Sequence, residues 1–186
     1  FYAPEMQAHT ARTLALSTAL KHALPRGELH LVYQPQCSLT TNQIVGAEVL
    51  LRWRHPQLGL VPPSEFIPLA EANGLIVPIG EWVLLTAAQQ LKRWQDEGLR
   101  DLIIAVNLSA VQFARPTLAS TISKLVSEAG VSPQNMELEL TEAVALMNPE
   151  AASETMADLS RAGFRLSIDD FGTGYSSMSY LKRFAV

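Results

Sequence analysis

The sequence predicts an α/β fold: a parallel sheet with helices packed against it, wound toward a barrel. Three observations carry that prediction. From about residue 100 onward, short apolar runs alternate with segments of helical period, the pattern of repeated strand–helix units. Leu102 to Leu108 is almost wholly apolar, as a parallel strand covered on both faces must be. Several predicted strands also end in oxygen-bearing side chains that point away from the helices. Repeated strand–helix units alone suit an open doubly wound sheet as well as a barrel. A set of polar strand ends on the non-helix side is the layout of a barrel with its site at the C-terminal mouth.

Length and composition bound the function. A chain of 186 residues with 48% apolar residues is long enough for one domain with a sizeable core. The net charge is −4 with no basic run, which argues against a DNA or RNA polymer or an anionic membrane as partner. No apolar stretch reaches membrane-spanning length, and the first residues lack a signal-peptide pattern. Cys37 is the single cysteine, so the chain holds neither a disulfide framework nor a thiolate metal site. A cytoplasmic domain is expected, and a membrane-anchored parent remains compatible with it.

The elements follow in order. Residues 1–27 read as a linker and an N-terminal helix. Phe1 to Met6 is expected as a connector, Leu16, Leu20 and Leu24 recur every four positions, and Pro25-Arg26-Gly27 ends the run. Leu29 to Gln34 and Ile44 to Trp53 read as strands around a Thr40-Thr41-Asn42 turn, and so short a connection predicts antiparallel neighbours. A proline-rich loop with Pro56, Pro62 and Pro63 leads to a short helix, with Ser64 expected as its N-cap and Glu65 in its first turn. The spacing of Leu84, Ala88, Leu91 and Trp94 or Gln95 predicts a helix over 78–97, and Leu102 to Leu108 follows as a strand.

The spacing of Leu118, Ile122, Leu125, Val126 and Ala129 predicts a helix over 117–129. Met136 to Glu142 reads as a strand. The helix over 149–162 begins after Asn148 with Pro149 at its first position and buries Ala152, Met156 and Leu159. Arg165 to Asp170 is the fifth strand. Ser176 and Ser177 are expected to cap a short helix through Arg183.

Strand alternation assigns each polar residue a side. Met136, Leu138 and Leu140 must meet the helices, so Glu139 points the other way. Leu166 and Ile168 place Asp169 opposite them, and Asn107 falls with Ala105 away from Leu102, Ile104, Val106 and Leu108. Glu48 and Arg52 share one side, with Val45, Ala47, Val49 and Leu51 on the reverse. The set Glu48, Asn107, Glu139, Asp169 and Asp170 is all oxygen, which suits Mg²⁺, Mn²⁺ or Ca²⁺ rather than zinc. Its carboxylates exceed what one divalent ion needs. A two-metal centre therefore fits, and such centres hydrolyse phosphoesters. Arg52, beside Glu48, is placed to grip a phosphate. Each residue also has a plain reading: a strand-end Glu is often a solvated rim residue, and Asn107-Leu108-Ser109 also suits a strand exit with a helix cap. The histidines His9, His22, His30 and His55 lack metal-ligand spacing, and Trp53, Trp82 and Trp94 read as packing.

These residues carry a resemblance. Leu31-Val32-Tyr33-Gln34-Pro35, Glu48-Val49-Leu50-Leu51-Arg52-Trp53, Asn107-Leu108-Ser109, Glu139-Leu140-Thr141-Glu142 and the run from Asp169 to Ser177 together resemble the EAL domain, the bacterial cyclic di-GMP phosphodiesterase. The resemblance covers residues 28–186. It implies a modified (β/α)₈ TIM-type barrel whose first strand is antiparallel, with about the first five to six strands in this sequence. It implies that Glu48, Asn107, Glu139, Asp169 and Asp170 ligate Mg²⁺ or Mn²⁺, with Ca²⁺ inhibitory. Gln34, Leu51 and Arg52 would contact cyclic di-GMP. Glu142, with the loop of Phe171, Gly172, Thr173 and Gly174, would link the metal site to a homodimer interface.

The implied reaction opens cyclic di-GMP to linear pGpG by a two-metal, metal-hydroxide mechanism, with Glu48, Asp169 and Asp170 at its centre. A sensory or GGDEF domain would precede the domain in the parent. Two departures stand out. Val49 replaces the signature alanine on the helix-facing side, and the family's catalytic Lys and general-base Glu are expected beyond Val186. The alternative function is an inactive EAL domain serving as a cyclic di-GMP receptor or a dimerisation module.

Overall fold

The computed structural model describes residues 4–169. Asp170, Phe171, Gly172, Thr173, Gly174 and the helix expected after Ser176 and Ser177 lie outside the described residues.

Helix α1 (Pro4–Ala23) starts earlier than the connector reading allowed, because Pro4 is pre-organised for a first helical position. Leu16, Leu20 and Ala23 are buried in the common core. On the outer side Arg12 grips Glu65 with two contacts, at 2.6 and 3.2 Å, and Asn73 Nδ2 donates to Ser17 Oγ at 3.0 Å. Both partners belong to α2 (Pro63–Ala72) or its C-terminal cap, so α1 is fastened to α2.

Strand β1 (Leu29–Cys37) runs antiparallel to β2 (Ile44–His55), as the short connection predicted. β1 continues through Pro35, past the expected end at Gln34. Proline is tolerated there because β1 is the outer strand of the described sheet and need not donate on its free side. The turn closes through Asn42, which takes a positive φ of 54° and donates its N–H to the Ser38 carbonyl at 2.8 Å.

The proline-rich stretch expected as loop contains a short strand, β3 (Gly59–Val61), folded back on the end of β2. His55 Nδ1 makes that turn possible by accepting from the Gln57 and Leu58 N–H groups at 3.2 and 3.1 Å. α2 then begins at Pro63 with Pro62 as its cap residue, so Ser64 lies inside the helix and is not its N-cap. Proline's fixed φ starts the helix without a side-chain cap.

The remainder alternates as expected: α3 (Ile76–Asp96), β4 (Ile103–Asn107), α4 (Ala110–Phe113), α5 (Leu118–Glu128), β5 (Met136–Thr141), α6 (Glu142–Met147), α7 (Pro149–Arg161) and β6 (Arg165–Asp169). α7 matches its expectation closely: Asn148 Oδ1 caps the Ala151 N–H at 3.3 Å, and Ala152, Met156 and Leu159 are buried. Two short helices stand outside the expected strand–helix units, the first of them allowed for only by the helix-cap reading of Ser109. α4 follows the Ser109 cap, and α6 begins at Glu142, which therefore opens a helix instead of ending β5.

The sheet order is β1-β2-β4-β5-β6, with β3 beside β2; β2, β4, β5 and β6 are mutually parallel. The helix-facing side of this sheet is the core. Val49, Ile104, Val106, Met136, Leu138 and Leu140 are all buried there. Trp53 closes one end of it, edge-on to Phe66 at 5.7 Å, with its indole N–H donating to the buried Glu28 at 3.0 Å. Trp94 packs edge-on against Tyr33 at 5.1 Å, so the described tryptophans serve packing as read. Among the described residues no helix is long and apolar enough to cross a membrane.

Candidate functional site

The register puts the predicted residues on one face. Gln34 pairs with Glu48, Glu48 with Ala105, Asn107 with Glu139, Glu139 with Ser167, and Thr141 with Asp169. Residues directly opposite share a face, and so do residues two apart on one strand. Gln34, Glu48, Asn107, Glu139, Ser167 and Asp169 therefore line the side turned away from the helices. They climb one two-residue step from β2 to β4 and another from β5 to β6, the stagger expected of a sheet curling toward a barrel.

Local chemistry holds the acids in place. Asn107 Nδ2 donates to Glu48 Oε1 at 2.8 Å, bridging β4 and β2. Glu139 is half-buried, and that burial, with the charges of Glu48, Glu137 and Asp169, pushes its carboxyl up to about 7. Glu142 is 6% exposed and stands in the first turn of α6, where a helix start favours negative charge. Arg52 is half-buried, donates to the Leu51 carbonyl at 3.0 Å and, among the described residues, makes no salt bridge.

A cleft of about 400 Å³ opens beside this rim, and Leu51, Arg52 and Asn107 all line it. Gln34 is exposed on the same face as Glu48 and Arg52, level with Glu48. A second cavity, of about 450 Å³, lies between α4, α6 and α7 and involves none of these groups.

The donor set suits a hard divalent cation: it is all oxygen, and such a charge offsets both the burial and the neighbouring acids that raise Glu139. Among the described residues no three His, Cys, Asp or Glu side chains form a closed metal-holding group, and Asp170 lies outside those residues. Both readings of Asn107-Leu108-Ser109 hold together: the segment is a strand exit whose Ser109 caps α4, and its Asn107 reaches Glu48.

Two features escaped the sequence. Ser167 sits opposite Glu139, and its hydroxyl is buried without a hydrogen-bond partner among the described residues. Alternation with Asp169 was the signal that pointed to its side. Gln112 is buried and completes a capping box with Ser109, a spacing visible in the sequence.

The profile of the EAL domain matches residues 17–186. The chain belongs to the EAL domain family. EAL domains are TIM-barrel-like, and the parallel strands with an antiparallel first strand belong to that fold. The chain is 45% identical over 183 residues to the bifunctional diguanylate cyclase/cyclic di-GMP phosphodiesterase MucR of Pseudomonas aeruginosa, covering 98% of this chain and 27% of MucR. It is 38% identical over 185 residues to the cyclic di-GMP phosphodiesterase PdeR of Escherichia coli K12, covering 100% of this chain and 28% of PdeR. The chain thus spans under a third of the length of either curated relative.

Among solved structures, the PaMucR phosphodiesterase in complex with c-di-GMP superposes with a TM-score of 0.89 at 46% identity, over 92% of this chain and 70% of that one. The FimX EAL domain gives 0.84 at 27% identity, over 92% and 68%. These EAL domains share the fold.

Proposed function

We propose that this EAL domain hydrolyses one phosphodiester of cyclic di-GMP, giving linear pGpG, as part of a longer signalling protein. The observation that carries the reading is the Asn107–Glu48 contact, on a rim where Glu139 is raised by burial first and then by Glu48, Glu137 and Asp169. The two phosphodiesterase relatives and the cyclic di-GMP complex of PaMucR support it.

EAL phosphodiesterases depend on a divalent metal. In this reading Glu48, Asn107, Glu139, Asp169 and Asp170 hold Mg²⁺ or Mn²⁺. The bound cation supplies charge neutralisation at the phosphate and an activated water. The remaining work belongs to the chain. Asn107 orients Glu48, and Glu139, whose carboxyl is raised by burial and neighbouring acids, gives up its proton when the cation binds. Arg52, free of acidic partners among the described residues, meets a phosphate oxygen, while Leu51 supplies an apolar wall and Gln34 a polar contact beside Glu48. Glu142 and residues 171–174 serve a link from the site to a homodimer interface, and an upstream sensory or GGDEF domain sets the activity.

The test is turnover by the intact protein with Mg²⁺ or Mn²⁺, followed by chromatography of pGpG. Glu48→Ala is expected to abolish pGpG formation while leaving the fold intact by circular dichroism. Unchanged turnover in that variant would remove the reading, and tight nucleotide binding by the wild type without pGpG would mark a receptor instead.

A further inference from the structure

The exit from β4 carries a device that the roles above do not use. Asn107 ends the strand, and the Leu108 N–H donates to the Glu139 carbonyl at 2.8 Å, which ties the exit to β5. Ser109 then caps α4, a helix of four residues. A helix that short cannot hold its own direction, so its caps and packing must set it.

Those caps are reciprocal. Ser109 Oγ accepts from the Gln112 backbone N–H at 3.2 Å, while Gln112 Oε1 accepts from the Ser109 N–H at 3.2 Å and from its hydroxyl at 3.0 Å. The Gln112 side chain is 5% exposed and is inserted against α3. The insertion is possible because α3 presents a glycine: a Cβ on Gly80 would stand 2.0 Å from Gln112 Nε2 and 2.6 Å from its Cδ. Gly80 and Gln112 also line the same cleft as Asn107 and Arg52. The amide thus pins the Asn107–Ser109 exit to a long helix that packs against the sheet.

We propose that Gln112 is a positioning residue for the rim. By closing its capping box against Gly80, it fixes the β4 exit and holds the Asn107 amide against Glu48. The consequence for cation binding rests on the phosphodiesterase reading; the consequence for Asn107 does not. Gln112 touches neither cation nor substrate and acts only through Asn107.

Two variants reach the device independently. Gln112→Ala removes the amide. Gly80→Ala leaves Gln112 in the sequence but evicts its side chain, which is flexible and can swing aside. Gln112→Glu keeps the acceptor oxygen that serves Ser109. Ile122→Val, in the buried face of α5, loosens the packing around the small cavity that Ile122 and Gln112 both line, leaves the capping box in place, and is the control. On the full chain, Mn²⁺ affinity is read by electron paramagnetic resonance, and the Asn107 side-chain amide resonances are read by NMR without cation.

Q112A and G80A are expected to weaken Mn²⁺ binding about tenfold or more, as loss of a support behind a ligand does. Both should shift the Asn107 amide resonances, Q112E should recover most of the affinity, and I122V should change neither readout. Wild-type affinity and unshifted Asn107 resonances in Q112A and G80A would overturn the proposal, as would equal losses in I122V. A wild type that binds no Mn²⁺ would remove the metal reading alone, and the Asn107 resonances would still decide whether Gln112 positions that amide.

Discussion

Asn107 donates its side-chain amide to Glu48 at 2.8 Å, joining residues that are 59 positions apart in the chain. Replacing the donor with a carboxylate isostere tests what that contact does. Asn107→Asp sets another negative charge beside Glu48 and level with Glu139, where like charges cannot all ionise without cost. The variant is expected to lose about 1 kcal/mol of stability without cation, the worth of a typical hydrogen bond, since this one is exposed to solvent. Added Mg²⁺ or Mn²⁺ should raise its melting temperature more than it raises that of the wild type. Thermal melts with chelator and with each cation check both parts.

The raised carboxyl of Glu139 makes stability depend on pH. Its folded value of about 7 lies above the ordinary 4.5. The folded state therefore binds the proton more tightly. The contribution to stability is complete below about pH 4.5 and is lost as pH rises toward 7. Solvent reaches half of this group and screens it, so the loss is about 1–2 kcal/mol, less than the full shift implies. Urea unfolding with chelator at pH 5 and pH 8 should show that decrease in the wild type and not in Glu139→Gln. Cation affinity should run the other way, rising through pH 7 as the competing proton leaves.

What was legible in the sequence was whatever depends on period and local chemistry. The alternation from Met136 to Thr141 assigned Glu139 its side, and Asn148-Pro149 located the start of α7 to the residue. What escaped depends on partners that hydrophobic period does not reveal. Glu142 has a strand-like neighbourhood yet opens α6, and Gly59 to Val61 pairs as a strand only because His55 organises the turn behind it. Gln112 is polar and sits in a short segment. Nothing local predicts its burial, because the space it fills is made by Gly80 on another helix.

Gly46 is a comparable close approach, but one that cannot yield. It begins the parallel pairing of β2 with β4 opposite Ile103, two residues before Glu48. A Cβ at this position would stand 2.4 Å from the Ile103 carbonyl oxygen, which is backbone held in the sheet. Gly46→Ala must therefore part β2 from β4 or tilt one of them, and overpacking of this kind costs about 1–3 kcal/mol. The displacement falls next to the step that joins Glu48 to Asn107. Gly46→Ala is expected to lower the urea midpoint and also to weaken divalent-cation binding. Ala87→Gly supplies the comparison, since it loosens buried packing on α3 without touching the β2–β4 pairing. If the two variants lose stability equally and both keep wild-type cation affinity, close packing at Gly46 serves the sheet alone and does not set the position of Glu48.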